Sequence, residues 1–97
     1  MNALEGFRAS LTEAAPTTTD PALQRLWWAA KGAWDCAHEA VQQHEGDPRC
    51  DLVHAHLHRL EGDEANAAYW FRRAGRAPST VPLTAEWDAI ATELLAR

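Results

Sequence analysis

The sequence predicts an all-α protein of five or six helices, built as two antiparallel hairpins with flanking cap helices. Three observations predict it. β-branched residues are few, and no run alternates apolar and polar over a useful length, so strand signals are missing. Apolar residues instead recur every three or four positions in segments bounded by glycine and proline. The middle of the chain also repeats itself: Gly32 matches Gly62, Ala37 matches Ala67, Val41 matches Phe71 and Pro48 matches Pro78, each pair 30 residues apart. Both copies read helix, glycine, helix, proline, the mark of stacked helical hairpins.

The elements follow in order. Leu4, Phe7, Leu11 and Ala14 give a first amphipathic helix over about 2–15, which "PTTTDP" breaks. Asp20 and Pro21 are an N-cap and first-turn pair for a second helix, "ALQRLWWAAK", ending at Gly32. A third, "WDCAHEAVQQHE", ends at Gly46. Asp47 and Pro48 open a fourth, "RCDLVHAHLHRLE", ending at Gly62, and a fifth, "DEANAAYWFRRA", ends at Gly75. Glycine just past a helix end is the expected stop. After a linker, "APSTVP", Thr84 is expected to cap a sixth helix, "AEWDAIATELLA". The organisation is a single domain, 1–97, with hairpins at about 21–48 and 49–78 and a C-terminal cap helix at about 84–96.

The stretches "GAWDCAHEAV" and "GDEANAAYWF" resemble the tight turn and second helix of tetratricopeptide (TPR) and Sel1-like repeats. In that pattern a glycine opens the turn, a small alanine lets two helices approach, and a larger apolar residue four positions later fills the gap. Gly32, Ala37 and Val41 match it, as do Gly62, Ala67 and Phe71. The period of 30 is shorter than the roughly 34 of TPR repeats, and two copies are fewer than the three a solenoid normally needs, so the flanking helices are expected to act as caps. The longer stretch from Lys31 to Arg76 is also similar to a family of small microbial proteins with a WDxAHE…HAxLHRxEGDxxNAxYWxRRAG signature. The resemblance implies a shared fold and carries no activity with it.

Composition narrows the function classes. The chain has 97 residues, 46% of them hydrophobic and 24% charged, as in an ordinary soluble domain. Its five tryptophans supply large apolar surfaces for so short a chain, which lets a few helices cohere without disulfide or metal. A net charge of −5 argues against a phosphate-backbone binder, and the cluster of Arg72, Arg73 and Arg76 is read more simply as cations at a helix C-terminus. No nucleic-acid or membrane partner is expected. Cys36 and Cys50 form no CxxC motif or disulfide framework, and the N-terminal residues have no continuous apolar run, so a cytoplasmic location is expected. A single lysine among many alanines and arginines suggests a GC-rich bacterial genome.

The candidate chemistry centres on "HAHLH", residues 54–58. At about 100° per residue, His56 falls within the apolar face of Leu52, Val53, Leu57 and Leu60, whereas His54 and His58 fall with Asp51 and Glu61 on the opposite, polar side. The plainer reading of His56 is a packed imidazole hydrogen-bonded to a neighbour. His54 and His58, one turn apart, are spaced as in zinc-binding HExxH helices, but Ala55 stands where the glutamate would be, and none of Asp51, His38 or Glu61 has a diagnostic spacing for a third ligand. In the fifth helix Ala67, Trp70, Phe71 and Ala74 share the packing face, Tyr69, Arg72 and Arg73 face away, and Asn66 lies at the border. Trp27 and Trp28 point about 100° apart, so one is expected to be buried and the other partly exposed.

The leading expectation is a non-enzymatic binding module, with His54, His58, Asn66 and Tyr69 lining a groove for a protein, peptide or small ligand. The alternative is a metal-binding protein or metal-dependent enzyme centred on His54 and His58. A third reading is a homodimer that covers the apolar end of a two-repeat stack. No motif calls for a cofactor, and no catalytic residue is assigned.

Overall fold

The computed structural model describes residues 3–33 and 47–96, and the regular elements within them are all helical. Helix α1 is Ala3–Ala9 and continues as a 3-10 turn at Ser10–Thr12; α2 is Pro21–Ala30, α3 Pro48–Leu60, α4 Glu64–Arg73 and α5 Leu83–Leu95. The all-α expectation holds. The predicted third helix, with Ala37 and Val41 of the repeat, lies outside the described residues.

Local chemistry sets most of the helix ends. The Asp20 carboxylate accepts from the backbone N–H groups of Ala22 (3.0 Å) and Leu23 (3.3 Å), and Asp47 accepts from Arg49 N–H (2.9 Å). Each sits just before a proline that needs no hydrogen bond in the first turn. At the C-termini one device recurs. Gly62 takes a φ of +81°, its N–H donates to the Arg59 carbonyl, and the next N–H, of Asp63, donates to that of His58. Gly32 and Gly75 end α2 and α4 by the same pair of bonds. A positive φ costs glycine little, and the two bonds satisfy carbonyls the helix leaves open.

Two ends differ from expectation. The first helix stops at Ala9, not near residue 15, and Ala14 is exposed. The Ser10 hydroxyl donates to the Phe7 carbonyl (2.6 Å) and accepts from the Trp27 indole N–H (3.0 Å), which tightens the last turn and ties it to α2. Thr84 does not cap α5: it is the second residue of that helix, which starts straight after Pro82 with no side-chain cap. The fixed ring torsion of Pro82 (φ −54°) sets up the start that a capping hydroxyl was expected to give.

Helix α3 is the axis of the fold. All eight residues from Cys50 to Leu57 are buried, because α2, α4 and α5 all pack against it. A helix buried on every side has no solvent face, whatever its polar residues. This overturns the expectation that Asp51 and His54 lie on an open polar side: Asp51 is 1% and His54 3% exposed. Helix α5 closes the bundle. Its Trp87 stacks on Phe7 of α1 (centroids 5.5 Å apart) and donates its indole N–H to the Leu26 carbonyl of α2 (2.8 Å). Arg49 of α3 reaches both neighbours, pairing with Asp20 (2.6 Å) and donating to the Leu94 carbonyl (3.1 Å). Trp27 is fully buried and Trp28 partly exposed, as their angular offset predicts. A buried tryptophan removes roughly 150–250 Å² from water, worth roughly 4–6 kcal/mol at about 25 cal/mol per Å², so Trp27, Trp70 and Trp87 supply a large share of this small core.

Ala67 is 1% exposed on α4, the helix that packs most extensively on α3. Ala67→Leu is therefore expected to overpack that crossing and destabilise the protein by roughly 1–3 kcal/mol. A urea titration of the two proteins checks this; an unchanged midpoint would remove Ala67 from the crossing.

Candidate functional site

The polar residues of α3 divide between two sides of the bundle, and the two sides differ in chemistry. On the α4 side, the His54 ring stacks on Trp70 (centroids 4.0 Å, planes 23° apart) and on His58 (4.9 Å, 19°). Trp70 thus fills the space where a groove between these helices was expected. His58 Nδ1 lies 3.7 Å from Glu61 Oε2 and 4.0 Å from Asp63 Oδ2 at the turn. Asn66 is exposed and engaged in capping: its backbone N–H (3.2 Å) and side-chain amide (2.6 Å) both donate to Asp63, which holds the Asp63 carboxyl below its ordinary value. Tyr69 is 50% exposed, sets its ring edge against Trp70 and accepts a hydrogen bond from Arg73 (3.3 Å). The four residues expected to line a binding groove therefore form a chain of ring stacking and helix capping, with His54 inside the core.

The same geometry bears on metal. An imidazole lone pair lies in the ring plane, and zinc sits about 2.0–2.1 Å from the nitrogen. Two nearly parallel rings 4.9 Å apart do not aim their lone pairs at one such point. Among the described residues no group of three His, Cys, Asp or Glu side chains is arranged to hold an ion.

On the α5 side lies a constellation that the helical wheel of α3 alone does not reveal. Glu86, 3% exposed, is held at both oxygens: Oε1 is 2.6 Å from His56 Nδ1, and Oε2 accepts from Arg59 (2.7 Å). Arg59 also donates to the Val81 carbonyl (2.8 Å) in the linker before α5. Burial pushes the Glu86 carboxyl up, but hydrogen bonds from His56, Ser79 and Arg59 outweigh it and leave it below its ordinary value. Glu86 is thus a buried anion with donors at both oxygens, the condition under which such burial is tolerated. The sequence carries one signal for it. Glu86 stands one turn before Ile90 and two before Leu94, on the apolar stripe of α5, as His56 stands on the apolar stripe of α3.

His56 also forms part of the wall of a cavity of about 470 Å³ where α1, α2, α3 and α5 meet. Leu11, Ala29, Ala30, Leu60, Leu83 and Trp87 make its apolar lining. Arg8, Asp88 and Thr84 add polar groups, and the first two pair with each other from α1 to α5. Two other pockets, of about 220 and 120 Å³, fall below the roughly 300–1,000 Å³ typical of ligand sites. None of the three is lined by His54, His58, Asn66 or Tyr69.

Cys50 does not offer nucleophilic chemistry. It is 1% exposed, and burial, with Asp47 nearby, pushes its thiol up to about 11. Cys36 and His38 lie outside the described residues.

Two outcomes follow. The Glu86 carboxyl is lower in the folded chain than in the unfolded one, so its contribution is complete above the ordinary carboxylate range of about 4.3 and is lost as pH falls through the folded value. Glu86→Gln should lower stability at neutral pH by about 3–5 kcal/mol, the usual cost of breaking a buried pair, and should flatten the loss of stability on acidification. Melting temperatures of both proteins from pH 7 to pH 3 check the sign; a wild-type slope no steeper than the variant's would contradict it. In the native protein Cys50 should react with a disulfide reagent far more slowly than in urea, and equal rates would show that its burial does not protect it. No known family model, curated protein or solved structure matches this chain, so its function has to be read from this geometry.

Proposed function

We propose that the chain is a non-enzymatic binding module for a small, mostly apolar ligand, held in the cavity between α1, α2, α3 and α5. One observation carries this reading: an apolar cavity of about 470 Å³ with a buried histidine in its wall, held from behind by a carboxylate. Apolar lining with a few placed polar groups is the general composition of small-molecule sites. A peptide groove over His54, His58, Asn66 and Tyr69 has less support, because Trp70 fills that space. The metal reading is disfavoured by the parallel His54 and His58 rings.

Other features fit the same proposal. The net charge is −5, Arg73 lies over Trp70 (5.0 Å) and Tyr69 (5.8 Å), and Arg76 pairs with Glu93, which gives two of the three clustered arginines contacts within the fold and supports a ligand other than nucleic acid. No helix among the described residues is long and apolar enough to cross a membrane. Large apolar side chains are exposed among the described residues only at Tyr69 and Val81, which gives a homodimer little to build on. The TPR-like hairpin enters the proposal as a fold: α3, Gly62 and α4 supply one such hairpin, and Gly32 ends its helix as Gly62 does. A cytoplasmic location rests on the two cysteines without a disulfide pattern.

A thermal-shift screen of single-ring aromatics and short alkanes against the full chain tests the proposal. A ligand at 100 times its Kd adds about 2.7 kcal/mol of stability, so binders should raise Tm clearly. Ala30→Trp places a large ring in the cavity from an exposed backbone position and should abolish the shift with helicity unchanged. If no compound binds at millimolar concentration, or the plugged variant binds as well as the parent, the cavity is not the site.

A further inference from the structure

The cavity wall holds one polar side chain that is almost wholly buried and only half engaged. His56 is 1% exposed, and its Nδ1 is 2.6 Å from Glu86 Oε1. Its other ring nitrogen, Nε2, makes no hydrogen bond among the described residues, and His56 lines the cavity. The state of the ring follows from its partner. An ionised carboxylate only accepts hydrogen bonds, so Nδ1 carries the proton that bridges to Glu86. In the neutral imidazole Nε2 then keeps its lone pair. Arg59 pairs with the same carboxylate and places a fixed positive charge beside it. Arg59 also fixes the second carboxylate oxygen (2.7 Å) and is itself held by the Val81 carbonyl (2.8 Å), which keeps Glu86 from turning away from the ring.

We infer that His56 Nε2 is the polar anchor of the cavity, a hydrogen-bond acceptor, and that the ligand carries a hydroxyl or N–H donor on an otherwise apolar ring or chain. The inference rests on the small-ligand reading above and adds the chemistry of the ligand to it. Glu86 and Arg59 are positioning residues: they set the tautomer and do not touch the ligand. The acceptor selects among ligands of equal size. A phenol or an indole offers a proton to Nε2, a methylarene leaves the lone pair facing hydrocarbon, and a carboxylate brings a second acceptor to it. The remaining charged groups of the cavity, Arg8 and Asp88, neutralise each other and give no net attraction for an anion.

The test uses the unmodified full chain with phenol, toluene and benzoate as probes. Phenol is expected to bind about tenfold or more tighter than toluene, and benzoate more weakly than phenol. With the histidines labelled with nitrogen-15, long-range proton–nitrogen correlation should show His56 protonated at Nδ1, with an Nε2 signal that moves on adding phenol and stays on adding toluene. Equal affinities for phenol and toluene would leave the cavity as a ligand site and overturn the anchor. An Nε2-protonated or doubly protonated ring, or benzoate as the tightest of the three, would also overturn it, since Nε2 would then be a donor. Binding of none of the three at millimolar concentration would overturn this inference together with the cavity reading on which it rests.

Discussion

The structure depends on one buried carboxylate. Glu86 sits on the apolar stripe of α5, where an anion is tolerated only if its oxygens are fully met. His56 and Arg59, on successive turns of α3, meet them. This ties α5 to α3 at two points, the His56 ring and the Arg59 guanidinium. The rest of the closing helix then follows. Trp87 comes to stack on Phe7 and donate to Leu26, Asp88 comes beside Arg8, and the Leu94 carbonyl comes within reach of Arg49. Burial of an ion cluster is weak evidence for added stability. Its role here is better described as orientation: apolar burial is non-directional, and the two hydrogen bonds to Glu86 are directional.

That orientation also produces the cavity. The apolar lining comes from four elements, and the small residues Ala29 and Ala30 leave room where α2 ends. Larger side chains there would complete the core and remove the space. His56 faces both features, with Nδ1 in the clamp and the ring in the cavity wall. One residue thus belongs both to the contact that holds α5 and to the cavity wall. The other dense patch of rings, His54, His58, Trp70 and Tyr69, is used up by packing and capping, and Arg73 covers its outer side. Among the described residues, the α5 side of α3 is where a buried histidine meets the largest of the three cavities.

The sequence by itself determined the helices among the described residues and most of their limits. Asp20 with Pro21, Asp47 with Pro48, and glycines 32, 62 and 75 act through hydrogen bonds within a few residues, so their effect does not depend on the rest of the chain. The buried places of His56 and Ala67 were legible for the same reason, since periodicity marks the apolar face of a helix; for Trp27 and Trp28 the sequence gives one inside and one outside, and the structure puts Trp27 inside. Only the tertiary structure decided which faces of α3 are covered. Periodicity assigns a helix one buried side, and the polar types of Asp51 and His54 suggest an open one; both are buried nonetheless, His54 because Trp70 of α4 offers a flat ring on which an imidazole can stack. The site was hidden for a related reason. Glu86 and His56 are 30 residues apart, and each reads alone as a polar interruption of an apolar stripe. Their meaning lies in facing each other, and that depends on the crossing of two helices, which no local signal encodes.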